Sequence, residues 1–317
     1  MLRYNERVAI GGVTASDDDF CRAFEAIEAA RGDESLTYFE FGTLAALWLF
    51  REARVDVQVL EVGLGGRLDA VNIVDADCAL ITNVGLDHTE WLGPDRESIG
   101  REKAGILRRG RPAICVEASP PASVLEAASR LQVPLRILDR DFSTSVLRHL
   151  PRPGLAGAAQ LRNAAGVIAG VDALQSVLPV PASAIRTALP ELRLPGRFER
   201  RGNLVLDVAH NVEAAQVLVE NLRAESISGR IHLVLGMLRD KPVESFCRNL
   251  QPIVASVSFA TLPPPRGLSA DELAQRAEVQ GDRFANVADA LANARSRAGF
   301  GDRILITGSF LTVAAVS

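Results

Sequence analysis

Hydrophobic residues recur along this chain in short runs that stop on polar residues or glycine, with stretches of helical spacing between them. One run, Val55, Val57, Val59 and Leu60, stops at Glu61 and is followed at once by Gly63-Leu64-Gly65-Gly66. A second, Cys78–Val84, stops at Gly85-Leu86-Asp87-His88-Thr89. Each predicts a short buried strand with polar groups gathered just past its end. Open parallel sheets bind ligands outside the carboxyl ends of their strands. Glu61, Asp69, Asp87 and His88 are therefore candidates for one shared site. Their chemistry suits a divalent ion such as magnesium or manganese. Taken singly, Glu61 reads better as a cap and His88 as a satisfied loop histidine; the two acidic strand ends with their glycine-rich turns together bring the shared site level with those readings.

The same pattern orders the rest of the chain. Arg3–Ile10 predicts a strand closed by Gly11-Gly12, and Asp17 to Asp19 suit a helix start, where carboxylates face the positive end of the dipole. Thr37-Tyr38-Phe39-Glu40 has the spacing of a capping box and predicts a helix to about Ala53, with Phe41, Leu44, Leu47 and Trp48 in the core. Ser98–Ile106 reads as a helix, Pro112–Val116 as a strand, Ala122–Leu131 as a helix and Leu135–Leu138 as a strand. Asp139–Gly157, rich in Pro and Gly, reads as irregular, and Gln160–Leu174 as helical. Pro190, Pro195 and Gly196 interrupt the pattern and mark a domain boundary near Pro195-Gly196. A fresh alternation follows: strands at Asn203–Leu206, Ile231–Leu235, Ile253–Phe259 and Ile304–Ile306, with helices at Val212–Arg223, at Val243–Leu250, after Ser269 and from Val287. That is a small doubly wound domain, with Asp207 and His210 at the end of its first strand.

Composition narrows the function classes. At 317 residues the chain has room for two domains. A net charge of −4 argues against nucleic acid as a partner, because phosphate-backbone binding needs a basic face. Cys21, Cys78, Cys115 and Cys247 show no CxxC spacing, which fits a reduced cytoplasmic protein without a zinc site. The start of the chain has no apolar signal core, and the apolar part of Phe41–Phe50 is too short to span a bilayer, so no membrane association is expected.

Four stretches carry a family resemblance: LEVGLGGRLDAVNIVDAD, LDHTEWLGPDRESIGREKAGI, LPGRFE and LDVAHN. In this order the chain resembles, from Leu2 to Val316, the bifunctional dihydrofolate synthase/folylpolyglutamate synthases of the Mur ligase superfamily. The resemblance implies an α/β, Mur-ligase-like fold. A P-loop-type ATPase and pteroate-binding domain, lacking its first strand and phosphate loop, would occupy residues 1–195. A smaller Rossmann-like glutamate-ligase domain would occupy residues 196–317. The implied reaction is ATP-dependent addition of L-glutamate to dihydropteroate and tetrahydrofolates through an acyl phosphate. ATP and Mg2+ would be the cofactors, and the protein a cytoplasmic monomer.

The resemblance also assigns roles to residues. Glu61, His88 and Lys103 would hold magnesium, with Lys103 carbamylated so that its amine becomes a carboxylate-like ligand. Lys103 and His210 are the implied catalytic residues. Asn163, Arg197 and Asp207 would meet ATP. Thr37, Tyr38, Phe39 and Glu40, with Leu68, Asp69 and Ala70, would line the pteroate site, and Ser309 would join His210 at the incoming glutamate. The residues alone leave other uses open: a helix cap for Thr37 and Glu40, an ion pair for Lys103, and an N-cap for Asn163. A linker salt bridge is equally open to Arg197, and a loop contact to His210.

The chain also departs from the family pattern. Such ligases carry a phosphate loop of the type GTNGKGS, but neither Gly11-Gly12 nor Gly65-Gly66 is followed by the Lys-Ser/Thr pair. The family places that loop, and a serine sharing magnesium with Glu61, upstream of the segment resembling this chain's start. The expectation is therefore an N-terminally truncated ligase with little turnover. Leu311 stands where relatives often carry an aromatic residue or His. The alternatives are a non-catalytic nucleotide-binding or interaction remnant, and a related ligase of cell-wall precursors.

Overall fold

The computed structural model describes residues 3–225 and 227–316. Contacts divide the chain into two units: one runs to Val146 and takes in Ala165–Val180, and the other comprises Leu147–Ala164 and the chain from Pro181 onward.

In the first unit, two helices carry the early apolar spacing into a core. Asp17–Arg31 starts on Ser16 and Tyr38–Ala53 on Thr37, each through a capping box. Phe20, Ala23 and Ile27 of the first helix pack with Ala45 and Leu49 of the second. The expected strand Arg3–Ile10 shrinks to Ala9–Ile10, paired antiparallel with Val13–Thr14. Its first half is instead a 3-10 turn, Tyr4–Arg7. Local contacts favour the turn: the Glu6 carboxylate accepts the Arg3 N–H at 3.1 Å, and the Tyr4 ring packs edge-on to Phe20 at 5.0 Å. Further on, Ala79–Ile81, Ala113–Cys115 and Leu135–Ile137 form a parallel sheet in that order. The alternation at Val55–Leu60 does not become a strand. Among the described residues no strand pairs with it, and Val59 is left 87% exposed. Alternation marks a residue set that can line one sheet face, but a strand also needs a neighbour to take its backbone groups.

The second unit is built on a six-stranded sheet. Its order is Asp282–Phe284, Ser256–Ala260, Ile231–Leu235, Arg303–Thr307, Leu204–Leu206 and Glu199–Arg201, parallel except for the last strand. Helices Val212–Ala224, Val243–Leu250 and Ala270–Ala277 bury Leu218, Leu222, Phe246, Leu250 and Leu273 against one face. Helices Val287–Arg297 and Phe310–Ala314 bury Leu291 and Val313 against the other. The two edge strands are charged, ERR and DRF, so no apolar run announced them. The segment before Ala164 joins this unit through backbone acceptors: Gly154 N–H donates to Leu189 O at 2.8 Å, and Arg186 to His149 O at 2.7 Å.

Candidate functional site

Two clusters of functional side chains form, one in each unit. In the first, the glycine-rich stretch after Glu61 is a loop pinned from several sides. The Asp69 carboxylate accepts the N–H groups of Gly63 and Leu64 with one oxygen and that of Val71 with the other, all at 3.0 Å. The loop is thereby folded back beside the helix that opens at Thr37. A side chain at Gly63 would strike the Phe39 ring at 2.8 Å. The structure thus gathers Phe39, Asp69 and the Gly63 backbone. Tyr38 and Leu68 stand nearby in sequence, 68% and 80% exposed. Thr37 and Glu40 close the expected cap: Thr37 Oγ1 accepts the Glu40 N–H at 3.2 Å, and Glu40 accepts the Thr37 N–H at 2.7 Å. Ala70 begins a 3-10 turn capped by Asp69.

The far side of the loop rests on the helix Arg96–Lys103. Arg67 donates its backbone N–H to Glu102 O at 2.9 Å, and its guanidinium forks onto the Glu102 carboxylate at 3.0–3.2 Å. A Cβ on Gly66 would sit 2.9 Å from Glu102 O and 3.2 Å from Lys103 O, so only glycine permits this approach. Lys103 ends the helix half-buried. Burial lowers the pKa of its amine, and the charge of Asp87 works against that shift. His88 follows Asp87 with φ 52° and ψ 38°, a left-handed conformation, and donates its N–H to Asp87 Oδ1 at 2.8 Å. Arg96 anchors this turn by donating to Val84 O at 2.9 Å and Ser119 O at 3.0 Å. Asp87 and Lys103 are thus brought together, whereas Glu61 is exposed and has no hydrogen bond or ion pair among the described residues. No three His, Cys, Asp or Glu side chains gather into a metal-holding group among the described residues, so a magnesium site built on Glu61 and His88 would need a further oxygen donor.

In the second unit, neighbouring strands Leu204–Leu206 and Arg303–Thr307 deliver their following residues to the same end of the sheet. Asp207 is largely buried: Oδ2 accepts the Phe198 N–H and Oδ1 the Ala209 N–H, both at 2.8 Å. Burial raises its pKa, while these two bonds and the charges of Arg197 and His210 oppose the rise. His210 Nδ1 lies 2.8 Å from Val208 O. A carbonyl only accepts, so Nδ1 carries the proton and Nε2 is the acceptor of the neutral ring. Ser309 is buried and caps Phe310–Ala314, accepting the Thr312 N–H at 3.0 Å. Thr312 Oγ1 donates to Gly236 O at 2.7 Å, so the Ser309 hydroxyl must donate to Thr312 Oγ1. Gly308, at φ 105°, lets the chain turn into this cap where any Cβ would meet Gly236 O at 2.5 Å.

Phe310 belongs to this cluster and was missed from sequence. Its ring centroid is 6.1 Å from that of His210 and 5.9 Å from the Arg197 guanidinium, and it stays 42% exposed. The only sequence signal was its place directly after Gly308-Ser309. The Asn163 amide donates to Gln160 Oε1, at 3.3 Å, one turn back in its own helix. No helix among the described residues is long and apolar enough to cross a membrane.

A sheet with charged and imidazole groups at its carboxyl end, carried on a doubly wound unit, defines a ligand-binding α/β domain. Residues 196–310 match the Mur ligase, glutamate ligase domain family. The chain is 43% identical over 332 residues to the dihydrofolate synthase/folylpolyglutamate synthase of Escherichia coli K12, covering 100% of this chain and 77% of that protein. It superposes on E. coli FolC in complex with DHPP and ADP with a TM-score of 0.94 and 42% identity, covering 99% of this chain and 78% of the other. A bifunctional folylpolyglutamate synthase/dihydrofolate synthase with Mn, AMPPNP and L-glutamate bound gives a TM-score of 0.91 at 45% identity, with 99% and 79% covered. This chain belongs to the dihydrofolate synthase/folylpolyglutamate synthase family of Mur ligases.

Proposed function

We propose that this chain serves ATP-dependent amide formation between the carboxylate of a pteroate or folate and the α-amino group of L-glutamate. The observation that supports it most is the gathering of Arg197, Asp207, His210 and Phe310 at one end of the six-stranded sheet. A carboxylate is a poor electrophile, so it first takes the γ-phosphoryl group of ATP, and the amine then displaces phosphate. Arg197 is exposed and makes no ion pair with a carboxylate within hydrogen-bonding distance among the described residues, which leaves its fork for nucleotide phosphate oxygens. His210, oriented through Nδ1, offers Nε2 to a proton of the incoming ammonium group. In the first unit, the Phe39 ring and the loop held by Asp69 form the wall for the pterin. Under this reading residues 1–195 carry the ATPase and pteroate part and residues 196–317 the glutamate-ligase part. When bound, magnesium would supply charge neutralisation at the phosphates; Glu61, His88 and a carbamate on Lys103 are the proposed ligands.

Titration of the protein with AMPPNP and with L-glutamate tests the reading. Nucleotide affinity should fall roughly tenfold or more in Arg197→Ala, as expected for a lost charged hydrogen bond of about 1.5–3 kcal/mol. Equal affinities in wild type and variant would refute the assignment.

A further inference from the structure

Arg197 sits in a turn whose backbone is held at every neighbouring peptide. Its own N–H donates to Leu194 O at 3.1 Å. Gly196 O accepts the Val208 N–H at 2.9 Å, and the Phe198 N–H donates to Asp207 Oδ2 at 2.8 Å. Phe198 is buried at φ 48°, a left-handed conformation that a bulky side chain adopts only when its surroundings impose it. The remaining donor, Gly196 N–H, is taken by Glu199 Oε2 at 2.8 Å. Glu199 itself is fixed twice over. It pairs across the sheet with Leu206, one residue before Asp207, and its Oε1 takes the Arg201 Nε at 2.7 Å.

We propose that Glu199 is a positioning residue for the ligase reaction: its carboxylate locks the Gly196 peptide and so presents Arg197 to the nucleotide. This rests on the reading that Arg197 meets nucleotide phosphate. Of the bonds that hold the turn, this one and the Asp207 bond alone come from side chains, and Asp207 lies in the ligand cluster itself. Glu199 stands outside that cluster, its second oxygen committed to Arg201. A turn fixed before the ligand arrives spares the ordering cost that a free arginine would incur on binding.

The test is a double-mutant cycle on the full chain, titrated with AMPPNP. Glu199→Ala should weaken binding roughly tenfold. Glu199→Gln, whose amide oxygen can still accept the Gly196 N–H, should stay within about twofold of wild type. The Arg197→Ala/Glu199→Ala double variant should bind no more weakly than Arg197→Ala. Multiplying losses in the double variant, or a Glu199→Gln as weak as Glu199→Ala, would overturn the proposal. Amide exchange without ligand separates this from a failure of the nucleotide reading. Exchange at Gly196 and Arg197 should speed up at least tenfold in Glu199→Ala and not in Glu199→Gln. Unchanged exchange in Glu199→Ala overturns the positioning role whatever the nucleotide does.

Discussion

Arg67 and Glu102, 35 positions apart in the chain, meet through a forked ion pair and a backbone hydrogen bond made by the same two residues. This doubled contact ties the glycine-rich loop to the helix that ends at Lys103. The side-chain pair is part-exposed, which limits it to about 1 kcal/mol. Arg67→Ala should lower stability by about that much and should speed amide exchange across residues 63–69. Gly66→Ala forces a methyl group onto two helix carbonyls and should cost more, about 1–3 kcal/mol. Chemical denaturation of the two variants checks the order. A Gly66→Ala variant as stable as wild type would show that the loop does not rest on the helix.

The second unit should be acid-sensitive through a buried polar cluster at the other end of its sheet. His232 is buried with Nδ1 2.8 Å from Ser256 Oγ and Nε2 3.1 Å from Asp302 Oδ2. The N–H groups of Arg230 and Gly299, then the His232 ring, hold the Asp302 carboxyl down at about 2. An unfolded aspartate titrates near ~3.9. A depressed folded value means that the stabilisation is complete above that unfolded value and is lost as pH falls toward about 2. Denaturation midpoints measured between roughly pH 5 and pH 2 should therefore fall with acid, and Asp302→Asn should flatten that slope. An unchanged slope would mean that Asp302 does not carry it.

The two sheets predict unequal protection. Ala79–Ile81 has one ladder neighbour among the described residues, whereas Ile231–Leu235 lies between Ser256–Ala260 and Arg303–Thr307. Local opening costs least where backbone bonds are fewest. Peptides covering residues 79–84 should exchange faster than those covering 231–235. Equal protection would contradict the argument.

Much of this architecture was legible because local signals and tertiary structure agree. The Thr37–Glu40 capping box forms as its spacing predicts, a helix follows Ser269 as expected, and the apolar runs at Ala113–Cys115 and Ile231–Leu235 are buried strands. The strand at Val55–Leu60 failed because alternation carries no information about whether a neighbour exists. Glu199–Arg201 was invisible because an edge strand can be held by one ladder and remain charged. The strand-end rule pointed to Asp207 and His210, which do lie past the carboxyl end of their strand. Phe310 was not, because an exposed aromatic ring after a cap has no period to betray it. Glu199 was hidden for another reason: its role depends on a backbone N–H, and backbone donors leave no mark in a sequence.

His210 is open to a test of its own. Replacing it with alanine removes the Nε2 acceptor while leaving Asp207 bonded to Phe198 and Ala209. His210→Ala should therefore weaken L-glutamate binding roughly tenfold or more, if one charged hydrogen bond is lost, with little change in AMPPNP affinity. Loss of both affinities together would point to collapse of the cluster, which amide exchange at Phe198 would reveal.

The most direct test of the central claim is transfer of labelled L-glutamate to dihydropteroate by this protein. The account predicts incorporation that requires ATP and falls at least about tenfold in Arg197→Ala and in His210→Ala, as loss of one charged contact in the transition state entails. Incorporation that proceeds without ATP, or equally fast in both variants, would contradict the claim that the strand-end cluster of the second unit binds the reactants.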